Sequence, residues 1–228
     1  VRRETKYILP HADVGKFRSL LEGNARRLIH NESISTVRSI YFDNVMLDDC
    51  QANLDGISPR KKVRIRWYDS LTPNNVIFYE IKWRDNRATG KHRLELRLQQ
   101  GVDELTYRQI INNLVDMLPP QYVPDILRRS EPIVLVEYRR EHFASTDNSL
   151  RVTLDYDLAF YDQTGKRFIS TSFPSRMPEM FVVEVKGPQA YQKEVKELLH
   201  PFAPRAGACS KYVHGCRQLG LVPPRNYH

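Results

Sequence analysis

The sequence predicts an α+β protein built on an antiparallel β-sheet of about eight strands, closed or nearly closed into a barrel with helices packed outside it. Three observations lead to this expectation. Strand-like segments alternate charged and apolar residues, several of these segments follow one another with no helix between them, and cations recur at the same phase along them. The first two features favour antiparallel pairing. The third feature predicts that one face of the sheet is charged.

The individual elements follow from alternation and from helix-capping residues. We expect strands at 3–9, 36–43, 62–68, 76–84, 91–98, 133–143, 150–157 and 181–186. We expect helices at about 14–23, from Asp43 or Asn44 to about Leu54, at about 103–118, at about 189–199, and from Ser210 to about Leu219. Residues 160–180, which include Pro174 and Pro178, are expected to form a loop. No repeat or long linker divides the chain, so one domain over residues 1–228 is expected.

One face of the expected sheet carries charge on strand after strand. Residues i and i+2 of a strand lie on the same face. Charged pairs at this spacing include Glu4 and Lys6, Arg64 and Arg66, Glu80 and Lys82, and Glu184 and Lys186, and Arg151 and Asp155 share a face in the same way. The residues between them, such as Ile65, Ile81 and Val185, are apolar, so the opposite face is predicted to pack in the core.

The charged face has two interpretations. In the first, it is a solvated outer face, and each glutamate pairs with a neighbouring lysine. In the second, it lines a closed barrel, where clustered cations are costly unless a ligand neutralises them. Several phosphate groups would do so, because arginine binds phosphate through two parallel hydrogen bonds. Glutamates beside phosphates then indicate a hard divalent cation, Mg²⁺ or Mn²⁺.

Composition narrows the possible partners. The formal net charge of +8 favours anionic partners. The three cysteines lack metal-ligand spacing, which favours free thiols and a cytoplasmic location. No segment has the length of a transmembrane helix and no signal peptide is visible. Trp67 and Trp83 fall on the apolar face, so stacking on nucleic acid is not expected.

Several motifs, read in order, resemble a known superfamily. They are Glu4-Thr5-Lys6, Ser39-Ile40-Tyr41-Phe42-Asp43-Asn44, Lys62-Val63-Arg64-Ile65-Arg66, Glu80-Ile81-Lys82, Gly90-Lys91, Tyr138-Arg139-Arg140, Arg151-Val152-Thr153-Leu154-Asp155, Glu184-Val185-Lys186 and Ser210-Lys211-Tyr212. The first resembles the opening motif of the CYTH, or triphosphate tunnel metalloenzyme, superfamily. The succession is similar to the VTC domain, the polyphosphate polymerase domain of the vacuolar transporter chaperone type, and to its bacterial relatives.

The resemblance implies a tunnel of antiparallel strands that binds triphosphate or polyphosphate together with a divalent metal. It implies catalytic phosphate contacts from Arg64, Arg66, Lys82, Arg140, Arg151 and Lys211. Further substrate contacts are implied for Lys6, Lys91, Arg93 and Lys186. The implied metal ligands are Glu184 and Glu4, with Mn²⁺ or Mg²⁺ as the cofactor.

Two positions refine the resemblance. The fuller opening motif of the superfamily begins with a second glutamate, where this chain has Arg2. This difference favours the VTC branch over the hydrolytic branch. Arg139 and Arg140 are adjacent and face opposite sides of their strand, and Arg140 is preferred because it shares the face of Tyr138.

Three functions are consistent with this sequence. The first is a polyphosphate polymerase that transfers the γ-phosphoryl group of ATP, or of another nucleoside triphosphate, to a polyphosphate chain. The second is a tunnel triphosphatase with water as acceptor. The third is a non-catalytic module that binds polyphosphate or inositol phosphates. The expected partners are the nucleotide, inorganic polyphosphate or triphosphate, and a membrane-protein partner, with no nucleic acid.

Overall fold

A computed structural model describes residues 2–29, 32–189, 192–202, 205–207 and 209–223, and these form two compact units. The first unit is drawn from Val1–Thr36, Tyr138–Leu158 and Arg176–Cys209. The second is drawn from Val37–Glu137, Ala159–Ser175 and Ser210–His228. Each unit combines segments that are distant in sequence, and the single domain over residues 1–228 stays a prediction.

The described part of the chain contains eleven β-strands and six α-helices. The strands are β1 (Arg2–Pro10), β2 (Arg26–Leu28), β3 (Ser35–Asp43), β4 (Arg60–Tyr68), β5 (Val76–Asp85), β6 (Ala88–Arg97), β7 (Glu131–Ala144), β8 (Arg151–Asp162), β9 (Ser175–Met177), β10 (Met180–Pro188) and β11 (Arg205–Ala206). The helices are α1 (Val14–Asn24), α2 (Asp48–Leu54), α3 (Tyr107–Met117), α4 (Val123–Leu127), α5 (Gln192–Leu199) and α6 (Lys211–Gln218). The prediction of an α+β protein with a large antiparallel sheet is confirmed.

The first unit contains the strand order β11-β1-β10-β8-β7, with β2 also paired to β7. In the antiparallel register of β1 and β10, Glu4 lies opposite Lys186 and Lys6 lies opposite Glu184. The other face of these strands is apolar and packs under α1. Phe17 of that helix lies 5.7 Å from Phe181, measured between ring centroids. The charged face of these strands is therefore the one turned away from the core.

The second unit contains the strand order β8-β7-β3-β4-β5-β6, since β7 and β8 contribute residues to both units. Its core joins the apolar face of β4 and β5 to helix α3, and includes Ile65, Ile81 and Ile110. Helix α3 begins at a capping box in which Thr106 and Gln109 satisfy each other's backbone N–H groups. The apolar packing predicted for Ile65 and Ile81 is confirmed.

Three details of the predicted elements were wrong. The sequence predicted about eight strands, and β2, β9 and β11, of two or three residues each, were missed. Residues 160–180 are not wholly a loop, because β8 continues to Asp162 and β9 lies at Ser175–Met177. The helix expected directly after a cap at Asp43 or Asn44 begins only at Asp48, whose backbone N–H donates to Asn44 Oδ1 at 3.1 Å. The Asp43 carboxylate still accepts hydrogen bonds from its first turn, from the backbone N–H groups of Asp49 and Cys50, at 3.1 and 2.9 Å.

Candidate functional site

In the second unit, four cations surround the carboxylate of Glu80, whose residue is only 1% exposed. Arg64 Nη2 lies 2.6 Å and Lys91 Nζ 2.5 Å from its oxygens, and Arg66 and Arg93 lie within 3.8 Å. We call these five residues the Glu80 cluster. Strand register explains it, because Arg64 and Arg93 are the neighbours of Glu80 on β4 and β6. Burial raises the pKa of Glu80, but the surrounding cations outweigh it and hold that pKa well below its usual range.

Substitution of Glu80 tests whether its negative charge stabilises the surrounding cations when no ligand is bound. We expect Glu80→Gln to lower the free energy of unfolding by about 3 kcal/mol, because it leaves clustered cations without their counter-charge. Inorganic triphosphate should restore more stability to this variant than to the wild-type protein. Urea denaturation with and without triphosphate measures both effects, with Glu95→Gln, an exposed acid on β6, as the control. Equal stabilisation of variant and wild type by triphosphate would contradict this account.

A tyrosine extends the Glu80 cluster. Arg64 Nη1 donates a hydrogen bond of 2.6 Å to the hydroxyl of Tyr41. The Tyr41 ring stacks on Tyr212 of α6 with 5.0 Å between centroids, and the Tyr212 hydroxyl donates to Asp43 at 2.7 Å. Burial raises the pKa of Tyr41, but attraction to Arg64 and two further cations lowers it, to about 8. The phenol is therefore able to change charge within this cluster near neutral pH.

The lowered pKa of Tyr41 predicts a change of stability with pH. Between about pH 8 and the usual value of 10, the folded phenol has lost its proton while the unfolded phenol retains it. The unfolded state binds more protons there, so this group adds stability as the pH rises through that interval. We expect Tyr41→Phe to remove this rise. Urea denaturation of both proteins from pH 7 to 10 measures it, and parallel pH profiles for the two would contradict the prediction.

Three lysines lie next to one another on the charged face of the second unit, two residues along the strands from Arg64 and Glu80. Lys62, Lys82 and Lys91 lie side by side in the registers of β4, β5 and β6. Lys62 Nζ donates to Ser210 Oγ at 3.1 Å, and Ser210 caps α6 as predicted. The next residue, Lys211, begins that helix and is buried. The predicted site residues of this unit therefore lie on one face of its sheet or at the start of α6.

In the first unit, the counterpart is a buried carboxylate at Glu184. Lys186 Nζ lies 2.5 Å from Glu184 Oε1, and Lys6 Nζ lies 3.4 Å from Oε2. Both lysines also reach Glu4, at 3.6 and 3.7 Å. Burial raises the pKa of Glu184, but Lys6, Lys186 and Arg140 outweigh it and hold that pKa well below its usual range. We call these five residues the Glu184 cluster.

Arg140 is held by a carboxylate that sequence reasoning did not assign to it. Its Nε and Nη2 atoms donate to the two oxygens of Asp155 at 2.6 and 2.7 Å, and its guanidinium lies 5.2 Å from the Tyr138 ring. The side chain of Arg139 is instead 58% exposed. Arg151, expected beside them, is exposed, and its Cα pairs with that of Lys186.

The acidic residues of the Glu184 cluster suit a hard divalent cation. Within the part of the chain that the structure describes, no group of three or more His, Cys, Asp or Glu side chains has metal-binding geometry. Mg²⁺ sites commonly use only one or two carboxylates, with phosphate oxygens and waters completing the coordination. Lys6 and Lys186 each contact both Glu184 and Glu4. Glu184 and Glu4 fit such a site when a phosphate ligand is present.

The site also contains residues that the sequence places in the quoted motifs but to which it assigned no role. Tyr41 and Asp155 bind the guanidinium groups of Arg64 and Arg140, and Ser39 Oγ accepts a hydrogen bond of 2.9 Å from Arg66 Nε. Ser39 and Tyr41 alternate along β3 at the same phase as the cations of β4. That alternation is visible in the sequence and could have indicated that Ser39 and Tyr41 share the face of these cations.

The protein has an α+β fold with a large antiparallel sheet, and in each unit the strands carry cations clustered around a buried carboxylate. Residues 1–220 match the family described as VTC domain. The chain therefore belongs to the VTC domain family.

Individual relatives agree with this assignment. The chain is 23% identical over 257 residues to vacuolar transporter chaperone complex subunit 4 of Trypanosoma cruzi (strain CL Brener), a match that covers 93% of the chain. The chain spans about a third, 32%, of the length of that relative.

Solved structures share the fold. HpAC1 from Hippeastrum, for which a dominant triphosphatase activity is described, has a TM-score of 0.54 at 16% identity, with full coverage of both chains. The PH1819 protein of Pyrococcus horikoshii OT3 has a TM-score of 0.50 at 13% identity, covering 95% of this chain and 98% of its own. Among the described residues, no helix is long and apolar enough to span a membrane.

Proposed function

We propose that this chain is a metal-dependent polyphosphate polymerase that transfers the γ-phosphoryl group of ATP to a growing polyphosphate chain. The observation that carries the proposal is the ring of four cations around the buried carboxylate of Glu80. So many cations on one sheet face suit a ligand with several negative charges. Membership of the VTC domain family and the similarity to a transporter chaperone subunit support the choice of polyphosphate.

The reaction needs positioning and charge stabilisation more than covalent chemistry. The arginines Arg64, Arg66 and Arg140 supply paired N–H donors that match phosphate oxygens, and the lysines supply point charges. As phosphate oxygens bind Arg64 and Lys91, they replace the oxygens of Glu80 that now hold these groups. No nucleophilic side chain is required, because the acceptor is the terminal phosphate of the polymer.

Glu184 and Glu4 would hold the divalent cation, Mn²⁺ or Mg²⁺. When bound, this ion would neutralise part of the phosphate charge. Lys186 and Lys6 contact both carboxylates and hold them in place until the ion arrives. A closed barrel, or tunnel, is part of this proposal, as are a cytoplasmic location and a membrane-protein partner.

A triphosphatase is the second candidate, and the structural similarity to HpAC1 favours it. Both reactions use the same phosphate contacts and differ in the acceptor, which is water in the triphosphatase. The absence of a second glutamate at the position of Arg2 supports the polymerase. A non-catalytic phosphate-binding module would use the same cations without turnover.

One experiment separates the three functions. The protein is incubated with ATP and Mn²⁺, and polymer and free phosphate are measured separately. The proposed function predicts polyphosphate, with ADP released in equal amount to the phosphoryl groups incorporated. Free phosphate without polymer would support the triphosphatase, and triphosphate binding without turnover would support the binding module.

A further inference from the structure

An aromatic pair lies at one end of the charged face of the second unit. Tyr68 follows Arg66 by two residues on β4, and Phe78 is the neighbour of Arg66 on β5, so both rings share the face of the cations. The two rings meet edge to face, with 5.8 Å between centroids. Both side chains are partly exposed, unlike the apolar residues on the opposite face of the same strands.

Arg93 completes this group. Its guanidinium carbon lies 3.9 Å from the centroid of the Phe78 ring and 5.8 Å from that of Tyr68, while its Nε lies 3.7 Å from Glu80. Arg93 therefore joins the aromatic pair to the Glu80 cluster. Planar guanidinium groups stack on aromatic rings and on nucleobases alike.

We propose that Tyr68, Phe78 and Arg93 form the binding site for the nucleobase of the nucleoside triphosphate. Base stacking on aromatic rings and on arginine tolerates any base, because each has a π-face. A base in this position stacks against the Phe78–Arg93 pair. The inference rests on the proposed function, since it assigns the nucleoside end of the same substrate.

The order of residues along the strands sets the direction of the substrate. From Phe78, the face of β5 continues to Glu80 and then to Lys82, about 13 Å away at ~3.3 Å per residue. Lys82 lies in the row with Lys62 and Lys91. A nucleoside triphosphate carries its base at one end and its terminal phosphate at the other. The base at Phe78 therefore directs the phosphates along the strand towards Arg64 and the lysine row.

An arginine–phenylalanine pair elsewhere in the same unit provides a control. Arg167 lies 5.4 Å from the ring of Phe168, which is exposed. That pair lies outside the Glu80 cluster, in the segment after β8. If any exposed arginine–aromatic pair bound nucleotides, both pairs would do so, whereas the proposal gives this role to the Phe78–Arg93 pair and not to the Arg167–Phe168 pair.

The test compares two ligands on each variant. Dissociation constants are measured for a non-hydrolysable ATP analogue and for inorganic triphosphate, both with Mn²⁺, and their ratio is the readout. We expect Phe78→Leu to raise the ratio of nucleotide to triphosphate dissociation constants about tenfold. Phe78→Trp should keep the wild-type ratio, and Phe168→Leu should leave it unchanged.

A second variant tests the same site independently, in case Phe78→Leu affects folding. Arg93→Lys keeps the positive charge near Glu80 but removes the planar stacking surface, so the same ratio should rise severalfold. Arg97→Lys, on the same face of β6, is the control. An unchanged ratio in both Phe78→Leu and Arg93→Lys overturns the nucleobase site while leaving the proposed function intact. A wild-type protein that binds neither ligand overturns the proposed function and this inference with it.

Discussion

Replacement of Arg64 by glutamine is expected to reduce the rate of phosphoryl transfer by about 100-fold or more. Arg64 contacts Glu80 and Tyr41 through three different nitrogens, so its guanidinium is fixed before a ligand arrives. A preorganised donor that meets developing phosphate charge typically contributes on this scale. Because Arg64→Gln also removes the cation closest to Tyr41, it should raise the pKa of that phenol.

Steady-state assay of ATP turnover with Mn²⁺ measures the effect on kcat. Arg139→Gln is the matched control, because Arg139 lies next to the site in sequence but its side chain is mostly exposed. Circular dichroism checks that the variant remains folded. A kcat for Arg64→Gln within about threefold of the wild type would show that Arg64 does not stabilise the transition state.

Replacement of Glu184 by glutamine is expected to reduce activity by a similar factor, but for a different reason. The variant keeps the shape of the side chain but removes the negative charge that a divalent cation requires. We expect activity to fall about 100-fold or more and the Mn²⁺ concentration for half-maximal activity to rise. In the presence of a chelator, triphosphate should bind the variant at least as tightly as the wild type, because Lys6 and Lys186 lose their competing carboxylate.

The two halves of this prediction separate a metal ligand from a structural residue. Activity as a function of Mn²⁺ and triphosphate binding in chelator are measured on the same preparation, with Glu131→Gln, an exposed acid at the start of β7, as the control. If Glu184 only held the lysines in place, triphosphate binding in chelator would weaken together with activity. That outcome would remove Glu184 from the metal site.

The faces of the strands could be predicted from the sequence, because side-chain alternation has a fixed period of two residues. Arg64, Arg66 and Glu80 were placed on the charged face from this period alone, and the structure confirms that they meet. Their pairing could not be predicted, because it depends on cross-strand register. That register brings Arg64 and Arg93 to either side of Glu80. The sequence shows an excess of cations, whereas the structure shows that each cluster is gathered around a buried carboxylate.

The missed elements have a common physical cause. The end of β8 is buried on both faces, with Leu158, Ala159 and Phe160 all inaccessible, so no alternation marked it as a strand. The short strands β2 and β11 pair only two or three residues of a neighbour. Segments of that length have no periodic signal, because tertiary contacts rather than local sequence place them. Helix α2 starts later than its cap residue suggests. The Asp43 side chain reaches past the intervening turn and accepts hydrogen bonds from the backbone N–H groups of Asp49 and Cys50.

The central claim is that the charged sheet face binds the phosphates of a nucleoside triphosphate together with a divalent cation. A crystal structure of the protein with Mn²⁺ and a non-hydrolysable ATP analogue tests it most directly. We predict phosphate oxygens within hydrogen-bonding distance of Arg64 and Lys91, in place of the Glu80 oxygens, and an anomalous Mn²⁺ signal at the carboxylate of Glu184. A saturated complex in which the analogue lies away from the charged face, with Arg64 and Lys91 still bound to Glu80, would contradict the account.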